Sequence, residues 1–272
     1  MAGRILAFSG KGGSGKTTLA AMVLRELLRT GIRPVLAVDA DPNATLASTL
    51  GVDVSGTIAD LRDRMGETAQ QVSEIPKDRL MGQWLAEVLS EEKGFDLLTM
   101  GRPEGPRCYC YVNGLLRRYL KELRSNYAVV VVDCEAGMEY LSRLTVDDVD
   151  VLVLVAEPTP IGLTCVSRIA RLADALPMRV KRRVLAVNKV NPLAPAGGRA
   201  ENVQTPDVDA VVHVPFDEDL YSRCAQGKAL DDGAGKAARS AVEELARLCF
   251  PLSRQGAQTP ALEGAPDGKQ HP

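Results

Sequence analysis

Gly10-Lys11-Gly12-Gly13-Ser14-Gly15-Lys16-Thr17 follows an apolar run at residues 4–9 and precedes a stretch whose apolar residues recur at helical spacing. A glycine-rich segment closed by Lys-Thr, set between a strand and a helix, is the pattern of a phosphate-binding loop. Glycine is needed there because successive backbone N–H groups must turn inward onto phosphate oxygens, helped by the positive end of the following helix. Gly12, Gly13, Ser14 and Gly15 supply that cradle. Lys16 is expected to reach the β- and γ-phosphates, Thr17 to ligate Mg²⁺, and Thr18 to hold the α-phosphate through its hydroxyl and amide.

Outward from the loop, Leu19, Val23 and Leu27 with Ala20, Leu24 and Leu28 form one apolar stripe, and Gly31 is placed to cap it. Short apolar runs then recur at residues 34–39, 95–100, 127–133, 149–156, 183–188 and 210–214, with helical stretches between them. Several are apolar almost throughout, as expected of parallel strands covered on both faces. The expected fold is α/β: a doubly wound, three-layer domain with a mostly parallel sheet of seven to eight strands. One domain is expected over residues 1–250, with helices and loops on the rim at about 51–92. Residues 251–272, rich in Pro, Gly, Gln and Ala without periodicity, read as a disordered tail.

Composition narrows the function classes. With 33 basic and 35 acidic residues among 272, a net charge of -2 gives no global field to draw the chain onto nucleic acid or an anionic membrane. The longest apolar runs, 128–132 and 151–156, fall far short of the roughly 18 residues that span a bilayer. Six cysteines without a disulfide framework, and no leader pattern at Met1, predict a cytoplasmic protein.

Two carboxylates follow the second strand, in Asp39-Ala40-Asp41-Pro42-Asn43. Asp41 is a candidate for positioning the attacking water and Asp39 for the outer Mg²⁺ shell. The run Val129-Val130-Val131-Val132-Asp133 reads as a strand whose terminal acid holds Mg²⁺ through water. Beyond it stands Cys134-Glu135-Ala136-Gly137-Met138-Glu139.

With Lys11 opening the glycine loop, the chain resembles the deviant-Walker ATPases, which include the nitrogenase iron protein, the Min and Par positioning ATPases and metal-insertion ATPases. That resemblance implies a catalytic set of Lys11, Lys16 and Asp41. Lys11 is then expected to cross a homodimer interface to the partner's phosphates, a cation supplied in trans. Gly137 would let a switch loop hinge on the γ-phosphate.

Val187-Asn188-Lys189-Val190-Asn191 lies where a guanine reader would end in an acid. The amide of Asn191 offers one acceptor oxygen where a carboxylate offers two, which favours adenine. Asn188 is expected at the base edge, and Pro215-Phe216-Asp217 resembles the family's second adenine-contacting loop. ATP and ADP are the expected nucleotides.

Cys108-Tyr109-Cys110 supplies two thiols, half of a four-thiolate site, so a two-fold axis beside it would complete the coordination of Zn²⁺ or Ni²⁺. A C-x-C followed by Asn113 and Leu115-Leu116-Arg117, with the D-x-E-A-G-x-E at residues 133–139, resembles the CooC-type nickel-insertion ATPases over residues 1 to about 250. The resemblance implies Cys108 and Cys110 as dimer-bridging Ni²⁺ or Zn²⁺ ligands and an apo nickel enzyme, carbon monoxide dehydrogenase or acetyl-CoA synthase, as client. Two other classes remain open: an iron–sulfur reductase resembling the nitrogenase iron protein, and a positioning ATPase of the Min/Par type. Cys134, Cys165, Cys224 and Cys249 read as structural, except that Cys134, directly after Asp133, would respond to the switch loop and leaves open a cluster shared with Cys108 or Cys110.

Overall fold

The computed structural model describes residues 3–41, 43–68, 83, 85–101, 121, 123–134, 148–176, 178–191, 206–231 and 233–250. The C-x-C, the segment 135–147 and the tail 251–272 lie outside them. The strands are β1 (Arg4–Gly10), β2 (Val35–Ala40), β3 (Leu89–Glu92), β4 (Phe95–Thr99), β5 (Val129–Cys134), β6 (Asp148–Val149), β7 (Val151–Ala156), β8 (Arg179–Val180), β9 (Arg183–Val190) and β10 (Ala210–Pro215). The helices are α1 (Lys16–Arg29), α2 (Thr45–Leu50), α3 (Ile58–Thr68), α4 (Pro160–Ala175), α5 (Glu218–Ala225) and α6 (Arg239–Cys249).

Eight strands form one sheet in the order β10-β9-β7-β1-β5-β2-β4-β3, and every pairing is parallel except β3 with β4. The doubly wound expectation holds, and its cause is visible in side-chain alternation. Along β5, Val129 and Val131 enter a core shared with α1, α2 and α6, while Val130 and Val132 enter a second core shared with α3 and α4. Leu6 and Phe8 of β1 join the first core, Ile5 and Ala7 the second. A strand buried on both sides cannot alternate polar with apolar, which is why these runs are continuously hydrophobic.

Two expectations need correction. The rim at 51–92 was expected to hold only helices and loops, yet residues 89–92 add an antiparallel edge strand, with Ser90 buried. The run expected at 149–156 is broken at Asp150, whose carboxylate accepts the Ile5 N–H at 2.8 Å and pairs with Lys181 at 2.7 Å and Arg124 at 3.1 Å. Asp150 thereby pins the entry of β1, the strand that delivers the glycine loop. At the far end of α1, Gly31 takes φ +85° and its N–H reaches the Leu28 carbonyl, closing the helix as the sequence suggests. Among the described residues no helix is long and apolar enough to cross a membrane.

Candidate functional site

β1 is central, and its C-terminal end runs into Gly10 between β5 and β7. Gly10 has to be glycine: a Cβ there would stand 2.2 Å from the Val155 carbonyl oxygen. The loop then turns through Gly13 at φ +79° and Gly15 at φ +93°, conformations that L side chains rarely adopt. Gly15 is also crowded, since a Cβ would lie 2.3 Å from Nδ2 of Asn188. The Ser14 N–H reaches the Lys11 carbonyl at 3.2 Å, and the largely buried Lys16 ammonium approaches the same oxygen at 3.4 Å. Lys11 itself is exposed.

The carboxylates assemble beside this loop. Register places Asp39 of β2 directly beside Asp133 of β5, both fully buried. The Thr17 hydroxyl donates to Asp133 Oδ2 at 2.6 Å and lies 3.4 Å from the Thr45 hydroxyl oxygen. Asp133 Oδ1 is buried with no hydrogen-bond partner among the described residues. Burial pushes the Asp133 carboxyl up to about 7, with Asp39 adding to the rise and the Thr17 hydrogen bond and Lys16 opposing it. Burial likewise raises Asp39 to about 6, against hydrogen bonds from Leu46, Asp41 and Ala47. An orphaned, desolvated carboxylate oxygen beside a threonine hydroxyl is what a divalent cation would satisfy, so this donor set fits Mg²⁺. Asp39 is committed differently: its oxygens accept the N–H groups of Leu46 at 2.8 Å, Ala47 at 3.3 Å and Asp41 at 3.2 Å. Asp41, half-buried, accepts from the Asn43 backbone N–H at 2.8 Å and its amide at 2.9 Å.

On the other side of the loop, Asn188 is buried and its Nδ2 donates to the Ser14 carbonyl at 2.9 Å. Lys189 donates to the Gly13 carbonyl at 2.7 Å and pairs with Glu157 at 2.7 Å. Phe216 is exposed and packs at 5.9 Å between ring centroids on Tyr221, leaving an aromatic surface on α5, while Pro215 ends β10. Asp217 is internal: it caps α5 through the Leu220 N–H and accepts from Ala237 and Ala238. Sequence reading overlooked Thr45, Glu157 and Lys189. Only the Asn-Lys dipeptide carried a signal, and it pointed to the base.

Cys134 is buried at the end of β5, where burial holds its thiol well above the usual range. Cys249 is buried too, but Cys224, expected to be structural, is exposed, with Sγ 3.7 Å from the Thr18 hydroxyl. Among the described residues no three or more His, Cys, Asp or Glu side chains converge as a metal site made of such residues alone. A cavity of about 570 Å³ lies away from this site, along the outer face of α1 beside Arg25, Phe95 and Val242.

A glycine loop at the end of a central parallel strand, a lysine at its close, and a threonine–aspartate pair fit for Mg²⁺ define a P-loop ATPase. The chain belongs to the AAA domain family, which matches residues 3–185. It is 41% identical over 192 residues to an uncharacterised ATP-binding protein of Methanocaldococcus jannaschii, covering 69% of this chain and 75% of that one. It is 34% identical over 183 residues to the carbon monoxide dehydrogenase accessory protein CooC of Rhodospirillum rubrum, covering 63% of this chain and 69% of that one. The septum site-determining protein MinD from Pyrococcus horikoshii, complexed with Mg-ADP, shares the fold with a TM-score of 0.63 at 23% identity, over 92% of this chain and 96% of that chain.

Proposed function

We propose that this ATPase drives nickel insertion into a carbon monoxide dehydrogenase-type enzyme through an ATP- and metal-dependent homodimer. The observation that carries the reading is the coincidence of a C-x-C at Cys108 and Cys110 with 34% identity to a carbon monoxide dehydrogenase accessory protein. Two copies would supply four thiolates, a soft set suited to Ni²⁺ or Zn²⁺ as cargo. The apo nickel enzyme is the client, in the cytoplasm.

The exposed Lys11 at the mouth of the loop is available to a second protomer. There it would meet the partner's phosphates. Within one protomer, Lys16 and the N–H groups of Gly12 to Thr18 would hold the triphosphate, and Thr17 and Asp133 would hold Mg²⁺, with Asp39 behind them. Bound Mg²⁺ would neutralise charge on the phosphoryl group being transferred. Asp41 would orient water. Asn188, with the loop of Pro215 and Phe216, would receive adenine, while Asp217 holds that loop from inside through the Leu220, Ala237 and Ala238 N–H groups. The exposed Phe216 ring offers that base a surface.

The test is equilibrium dialysis of Ni²⁺ and of Zn²⁺ against wild type and Cys108→Ala/Cys110→Ala, with ATP binding followed in parallel. Wild type should bind one metal per two chains; the variant should bind none and retain ATP. An unchanged metal stoichiometry in the variant rejects the site.

A further inference from the structure

In a regular strand, neighbouring side chains point to opposite faces of the sheet. Asn188 and Lys189 are neighbours in β9, yet both reach the glycine loop, at the consecutive carbonyls of Ser14 and Gly13. The backbone explains how: Lys189 sits at φ +61°, a left-handed conformation uncommon outside glycine, which breaks the alternation. The strain is local and must be offset by the contacts it makes possible.

Those contacts bear on phosphate binding. In a planar trans peptide the C=O of one residue and the N–H of the next point in opposite directions. Holding the Gly13 carbonyl therefore aims the Ser14 N–H, which donates to the Lys11 carbonyl at 3.2 Å and closes the turn of the loop, and holding the Ser14 carbonyl aims the Gly15 N–H; both point away from β9. Lys189 adds charge to this geometry, because a cationic donor on the Gly13 carbonyl polarises that peptide and strengthens its N–H as a donor. Lys189 is partly exposed, and Glu157, just beyond β7, anchors its ammonium at 2.7 Å where it would otherwise swing into water.

We propose that Glu157 and Lys189 form a positioning pair that presets the glycine loop for a triphosphate, with Lys189 gripping the loop and Glu157 acting only through Lys189. The proposal rests on the loop binding ATP and is independent of any metal cargo.

The experiment is titration of a fluorescent ATP analogue with Mg²⁺ into wild type, Lys189→Met, Glu157→Gln, the double variant and a Lys16→Ala reference, with kcat measured at saturating ATP. Lys189→Met should raise Kd roughly ten-fold, equivalent to about 1.4 kcal/mol, and affect Kd more than kcat. Glu157→Gln should weaken binding in the same direction with its melting temperature nearly unchanged, so the result stands even if Lys189→Met folds poorly. The double variant should bind no worse than Lys189→Met alone. Equal Kd in wild type and both single variants, or losses that add in the double variant, overturns the proposal. Wild-type binding that Lys16→Ala leaves intact overturns the ATP-binding role of the loop, and the pair's role with it.

Discussion

Asp133→Asn should abolish ATP hydrolysis while making the nucleotide-free protein more stable. The wild-type carboxylate is buried, has one oxygen on the Thr17 hydroxyl and the other without a partner among the described residues, and lies beside Asp39. Its rise from 3.8 to about 7 corresponds to roughly 4 kcal/mol held against the ionised folded state, at about 1.4 kcal/mol per tenfold change. Asparagine removes the charge but weakens the hydrogen bond to Thr17 and leaves its own amide short of an acceptor, a loss of about 1–3 kcal/mol. A net gain of roughly 2 kcal/mol remains, or a melting temperature about 4–8 °C higher for a chain of this size.

The sign with pH follows from proton counting. Between 3.8 and about 7 the folded wild type binds more protons at Asp133 than the unfolded chain, so its stability falls as pH rises through that window. The gap in favour of the variant should therefore widen from pH 4 to pH 8. Millimolar Mg²⁺ should close it by stabilising wild type alone. Thermal unfolding with EDTA and with Mg²⁺, across that pH range, measures all three effects. A variant no more stable than wild type at pH 8 in EDTA, or a gap flat with pH, would refute the reasoning.

Two other perturbations follow from the same geometry. Gly10→Ala sets a Cβ 2.2 Å from a backbone oxygen of β7, which no rotamer relieves; destabilisation on the order of 1–3 kcal/mol in chemical denaturation, with loss of ATP binding, is expected. At Asp150, burial raises the carboxyl but is outweighed by Lys181, the Ile5 N–H and Arg124, so its net position is lowered. Its stabilisation is present above 3.8 and is lost as pH falls through the lowered folded value; Asp150→Asn should therefore flatten the acid limb of the stability profile, read as melting temperature against pH.

Much of the fold was legible because it is written locally. The glycine loop, the stripe of α1 and its Gly31 cap, and the seven long apolar runs each declare themselves within a few residues, and parallel strands buried on both faces have a strong composition signal. The edge strand β3 did not: Leu89-Ser90-Glu91-Glu92 has no apolar run, and only pairing with β4 makes it a strand. Asp150 was hidden for the same reason, as a single acid inside an apolar run whose partners lie at Ile5, Arg124 and Lys181.

From the sequence alone came the phosphate loop, the acids at the ends of β2 and β5, and the layered α/β architecture, because those depend on residue type and short-range period. Tertiary structure decided how the site is wired. Asp39 and Asp133 become neighbours through strand order, Thr17 meets Asp133 across 116 positions, and Lys189 meets Gly13 across 176. Contacts at such separations depend on sheet register and on one left-handed residue, neither of which leaves a local pattern to be read.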